Sequence, residues 1–114
     1  MKQHSVHLGD TLLTAEMSVC SNFIERGRGL LFRKPLDAER GQALLIPRCN
    51  SVHTFFMSYR IAVIFLDSEG KVVGVRPDTP PWRVIGCLQA KFALECAVGT
   101  SWVQALCVGQ QLRW

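Results

Sequence analysis

The residue types best able to do chemistry gather in one stretch, Arg48-Cys49-Asn50-Ser51-Val52-His53-Thr54-Phe55-Phe56-Met57, where a thiol, a hydroxyl and an imidazole fall within five positions. A cysteine nucleophile needs a base close enough to generate thiolate, so Cys49 and His53 are the pair to weigh for a small enzyme. On an extended chain, at about 3.3 Å per residue, they stand about 13 Å apart, too far for a hydrogen bond. The spacing argues against a dyad. The plainer expectation places Cys49 in the core and bonds His53 to a neighbouring backbone or carboxylate group. No second histidine or acid recurs around them at ligand spacing, so no metal site is expected.

Other chemical signals are sparse. Gly27-Arg28-Gly29 lacks the third glycine and the preceding strand of a dinucleotide loop, and no GxSxG, HExxH or GK[ST] motif occurs, so no cofactor is expected. Asp67 reads as the first residue of a hairpin turn, its side chain capping backbone amides. Glu95 stands between Leu94 and Cys96 and, if partly buried, demands a cationic or amide partner. Trp82-Arg83 beside Pro80 and Pro81 offers a stacking surface for a planar ligand, the bland alternative being a tryptophan that pins a loop to the core.

The elements that must position these groups are mostly strands. Alternation through Val6 and Leu8, then Leu13, Ala15, Met17 and Val19, marks two strands within residues 5–19 joined at Gly9-Asp10. Asn22 with Glu25 supplies capping spacing for a short helix over about 22–31, which Gly27, Gly29 and Pro35 prevent from running on. Ala43 to Ile46 is a strand stopped by Pro47. Thr54 to Leu66 reads as a strand, Asp67 to Gly70 as a turn and Lys71 to Val75 as the return strand. Ile61 to Leu66 is apolar at every position, which predicts cover on both faces of the sheet. Gly74 to Gly86, with three prolines, reads as a surface loop rather than a strand throughout. A strand returns over Ala90 to Ala97, and Ser101 with Gln104 has the spacing for a helical turn near 101–106 before a last strand ending at Trp114. The expected fold is mainly β: a compact jelly-roll-like sandwich or distorted barrel with one short helix.

At 114 residues, with 48% hydrophobic and 19% charged content, the chain is one ordinary domain spanning residues 1–114. Lys and Arg number 13 against 9 Asp and Glu, a net charge of +4, and the segment from Glu25 to Arg60 carries that whole excess. Such a stripe is usually a solvated face, which disfavours a dedicated nucleic-acid binder acting through residues 26–60. Five cysteines without a CxxC pair, three of them inside apolar stretches, suit a reducing compartment. The N-terminus has no apolar run of signal-peptide length, and the longest apolar run is Ile61 to Leu66, far short of a membrane span. A cytoplasmic protein without a membrane partner is expected.

Taken in order, Arg26-Gly27-Arg28-Gly29-Leu30, Gly41, Ser51 to Met57, Phe65-Leu66-Asp67 and Leu94-Glu95, followed by Gly99 and Gly109, resemble the domain-of-unknown-function family 192 from about residue 10 to the end. The resemblance implies a compact β-rich fold similar to a jelly roll, with a short helix near Arg26 to Leu30, and no established activity. Where the family pattern carries an acid, this chain has Ala62, and where it carries Gly-Asp it has Gly109-Gln110. Any shared chemistry that depends on those carboxylates is in doubt here. The resulting expectation is a non-enzymatic module for a protein partner or a small anionic ligand. Its binding candidates are His53 and Glu95 on one concave face, rimmed by Arg26 and Arg28 on one side and by Trp82 and Arg83 on the other.

Overall fold

The computed structural model describes residues 3–20 and 34–114. The helix expected over 22–31, with Arg26 and Arg28, lies outside the described residues. Nine strands and one helical turn follow in chain order: β1 (Gln3–Leu8), β2 (Thr11–Val19), β3 (Ala43–Pro47), β4 (Ser51–His53), β5 (Ile61–Leu66), β6 (Val72–Thr79), β7 (Val84–Gly86), β8 (Phe92–Ala97), α1 (Ser101–Gln104) and β9 (Leu112–Arg113). The fold is mainly β, a curled half-barrel sheet with a second, small sheet.

Seven strands form the large sheet in the order β6-β5-β8-β3-β2-β1-β9, and β4 with β7 forms the small one. Every described pairing is antiparallel except β2 with β3. The curl brings the two edges of the large sheet together at one end. Lys71 bridges Gln111, Val72 N–H donates to the Gln110 carbonyl (2.8 Å), and Leu112 N–H donates to the Gly70 carbonyl (3.0 Å). Paired edges leave fewer unsatisfied backbone groups than an open sheet.

All six residues of β5 are buried, because strands β6 and β8 flank it and apolar layers cover both of its faces. Ala62, Ile64 and Leu66 join the inner layer with Leu94, Cys96, Val6 and Met17, closed by Trp102, Val103 and Leu106. Ile61, Val63 and Phe65 face the other layer with Leu44, Ile46 and Ala93, and here Val52 and the half-buried Ile85 of the small sheet supply the cover. The small sheet is therefore a lid over one face of the large one. Ala62 is 1% exposed within the inner layer.

The 67–70 turn forms as the sequence predicts. Asp67 Oδ1 accepts the Glu69 and Lys71 amides at 2.9 Å each, and Gly70 takes the positive φ of 84° that closes the turn. Gly41 shows a close approach of another kind, since a Cβ there would lie 2.9 Å from Trp102 Nε1, the atom that donates to the Gly41 carbonyl at 3.3 Å. The helical turn α1 falls within the expected 101–106 segment, but the capping box does not form. Thr100 is the N-cap residue and its side chain makes no cap bond, its hydroxyl donating back to the Ala97 carbonyl at 2.8 Å.

Two further expectations are corrected. Strand β6 runs through Pro77 to Thr79, where a surface loop was expected from Gly74, because an edge strand needs no N–H donor on its outer side. Conversely, Thr54 to Arg60 is no strand. The chain leaves β4 at His53 and turns, with Phe56 at φ 66°, before β5 begins.

Phe65 is 0% exposed in the layer beneath the small sheet. Phe65→Ala should cost about 3–5 kcal/mol, read as a shift in the urea midpoint. A variant whose urea midpoint matches the parent's would refute the burial of Phe65 between two apolar layers.

Candidate functional site

Strand alternation decides which side chains leave the small sheet for solvent. Val52 and Ile85 are opposite one another and turn to the core, so their neighbours His53 and Val84, also paired across the strands, turn outward. Beyond His53 the chain turns, which places Phe55 and Phe56 on the same exposed side. Phe56, Trp82 and Val84 are 66%, 57% and 64% exposed, and Phe55 is 37% exposed. Their rings form a continuous chain: His53 to Phe55 at 5.3 Å between centroids, Phe55 to Trp82 at 5.9 Å and Phe56 to Trp82 at 4.9 Å, edge-on.

One buried residue holds the two loops that carry these rings. Thr54 is 0% exposed. Its hydroxyl donates to the Pro80 carbonyl (2.7 Å) and accepts the Arg83 amide (2.9 Å). Its own N–H donates to the Arg83 carbonyl (2.8 Å), and its carbonyl accepts the Trp82 amide (2.9 Å). These bonds hold a strained backbone. Phe56 and Trp82 both have φ 66°, a region that costs a bulky residue about 1–3 kcal/mol and persists only where surrounding structure imposes it. Exposed aromatic rings on an imposed, unfavourable backbone form a prepared contact surface.

The sequence candidates divide accordingly. His53 and Trp82 come together at this surface through Phe55, and the exposed Arg83 follows Trp82 with its Nη1 donating to the Trp82 carbonyl at 3.4 Å. Glu95 does not join them. It is 3% exposed on β8, registered between Leu44 and Val63 in the layer beneath the small sheet, and neither it nor His53 lines either of the two described cavities. The reason is the lid: Val52 occupies the inward position, so His53 must face away from the layer that contains Glu95. Alternation alone does not group Phe55 with Phe56, since a strand over Thr54 to Leu66 would set them on opposite faces; the turn beyond His53 brings them together. The signal available was the double proline before Trp82, which marks an imposed loop.

Cys49 lies apart from the aromatic surface. Its Sγ is 3.0 Å from the Ser51 carbonyl, and it lines a cavity with Arg48 and Lys91. None of the five cysteines is joined in a disulfide. Of the bases in the 25–60 stripe that are described, Arg40 pairs with Glu16 at 2.6 Å and Arg60 pairs with Asp78. Much of that stripe's described charge is thus balanced locally.

The comparisons agree with this architecture. The model of the domain-of-unknown-function family 192, described as "Uncharacterized ACR", matches residues 4–114. The chain belongs to this family. It is 37% identical over 106 residues to a UPF0127 protein of Pyrococcus abyssi, covering 87% of this chain and 86% of the relative. It is 38% identical over 101 residues to a UPF0127 protein of Pyrococcus furiosus, covering 87% and 86%. A crystal structure of a protein of unknown function from Novosphingobium aromaticivorans shares the fold, with a TM-score of 0.73 at 16% identity over 98% of this chain and 84% of the other. A Sinorhizobium meliloti structure does likewise, with a TM-score of 0.75 at 18% identity over 98% and 93%.

Two outcomes follow. Thr54→Val keeps the shape but strands the Pro80 carbonyl and the Arg83 amide, costing about 1–3 kcal/mol, whereas Phe56→Gly relieves the positive φ and should leave the melting temperature almost unchanged. Equal losses from the two, by thermal melts, would contradict the clamp. Burial, aided by the negative charge of Glu95, pushes the Cys96 thiol well above its ordinary 9.0. The folded state then keeps a proton that the unfolded chain releases, so this group lowers stability progressively as pH rises above about 9. Cys96→Ala should flatten that decline by up to about 1.4 kcal/mol per pH unit, measured by urea melts from pH 8 to 10.5; an unchanged slope would show that the thiol is not responsible.

Proposed function

We propose that this protein is a non-enzymatic, single-domain binding module whose partner is a protein segment bearing apolar anchors flanked by acidic residues. The observation that carries the reading is the exposed ring chain of His53, Phe55, Phe56 and Trp82 held on a strained backbone by Thr54. Contiguous exposed apolar surface marks interaction sites, and tryptophan and arginine are over-represented where interfaces concentrate their energy. Charge supports the acidic flank. Arg83 is exposed beside Trp82 and, among the described residues, has no ion-pair partner. A reducing, cytoplasmic setting is consistent with five cysteines and no disulfide. Among the described residues, no helix is long and apolar enough to cross a membrane.

A photoreactive amino acid at Val84, introduced in the source cells, tests this directly. Discrete protein adducts should form, should be absent when the same group is placed at the exposed Leu12 of β2, and should disappear in Phe56→Gly and Trp82→Gly backgrounds. Adducts that survive both glycine variants would overturn the assignment of the aromatic surface.

A further inference from the structure

A second site lies where β3 ends and β8 begins. A cavity of about 530 Å³ is lined by Pro47, Arg48, Cys49, Asn50, Ser68, Ala90, Lys91 and Phe92, and it contains none of the aromatic-surface residues. Its volume falls in the range of small-molecule sites. The last ladder pair of β3 with β8 is Pro47 opposite Phe92. Immediately beyond it, Arg48 takes φ 55° and the Cys49 amide returns to the Lys91 carbonyl at 3.0 Å, the geometry of a bulge that sets Arg48 and Cys49 against Lys91.

A bulky residue such as arginine at positive φ is strained, and the exposed Arg48 and Lys91 line the same cavity, so two positive charges share it. Neither Arg48 nor Lys91 has an ion-pair partner among the described residues. Among the described residues no carboxylate lines the cavity; the nearest in sequence are the neighbours of Ser68, of which Asp67 has its Oδ1 engaged by the Glu69 and Lys71 amides, and Glu69 lines the adjoining cavity with Trp114. A dianion in the cavity could pair with both cations, and guanidinium and ammonium with the Asn50 amide and Ser68 hydroxyl supply the donors a phosphate accepts. The space exceeds a bare phosphate, and Phe92, braced edge-on by Trp114 at 5.3 Å, offers an apolar wall for the remainder.

We propose that this cavity binds a small organic phosphate monoester, its phosphate between Arg48 and Lys91 and its apolar part against Phe92. The inference is independent of the protein-partner reading, which rests on other residues.

Amide chemical shifts of the folded protein titrated with phenyl phosphate, inorganic phosphate and benzyl alcohol test it. Phenyl phosphate should give saturable shifts at Asn50, Lys91 and Phe92 that weaken with added salt, inorganic phosphate should bind more weakly at the same residues, and benzyl alcohol should not bind there. Lys91→Gln should weaken phenyl phosphate about tenfold. Arg48→Gly should do the same while melting no lower than the parent, since glycine accepts φ 55° without strain. Phenyl phosphate shifts that are absent, or unchanged in both variants, would overturn the site; benzyl alcohol binding as well as phenyl phosphate would show an apolar cleft instead.

Discussion

Burial on both faces of β5 is the constraint from which the rest of the architecture follows. A strand apolar at every position cannot present a face to water, so the sheet that contains it must be covered twice. The protein meets this demand by two different means. On one side the sheet curls upon itself, and Trp102, Val103 and Leu106 close the hollow. On the other a separate two-stranded sheet lies across it, reached only because the chain departs from the large sheet after β3 and again after β6.

That second cover has consequences for function. A two-stranded lid turned inward through Val52 and Ile85 has an outer face by geometry, and its short strands must be joined back to the large sheet by tight loops. Thr54 ties those loops to each other, and the aromatic residues they carry are held on backbone that few side chains tolerate. The three described non-glycine residues at positive φ, Arg48, Phe56 and Trp82, all fall at the junctions between the two sheets. Strain stored at such positions is compensated by burial elsewhere, here by the fully apolar β5 and its neighbours. Stability and surface chemistry are therefore separated in space: the large sheet supplies the first, and the loops at the lid supply the second.

Glu95 shows the cost of building a site from strand alternation alone. On β8 its neighbours Leu94 and Cys96 point into the curled hollow, so the carboxylate must point to the opposite layer. In isolation that side of the strand looks like a solvent face. Only the lid makes it interior, and the same lid turns His53 away from it.

The residue pattern by itself determined the β class, the β1–β2 hairpin at Gly9-Asp10, the burial of Ile61 to Leu66 on both faces, the Asp67 turn and the helical turn at Ser101, because each depends on neighbours a few positions apart. It also marked His53, Trp82 and Arg83 as candidates. Tertiary structure decided what periodicity cannot encode. Thr54 to Arg60 is β-rich in residue type yet turns, since hydrogen bonds from Thr54 to residues 80–83, more than 25 positions away, outweigh the local preference for a strand. Pro77 lies within a strand because that strand is at an edge. Arg48 shares a cavity with Lys91, and Phe56 meets Trp82, where segments distant in sequence converge. Local preference acts through short-range sterics, whereas the sites arise where distant segments converge.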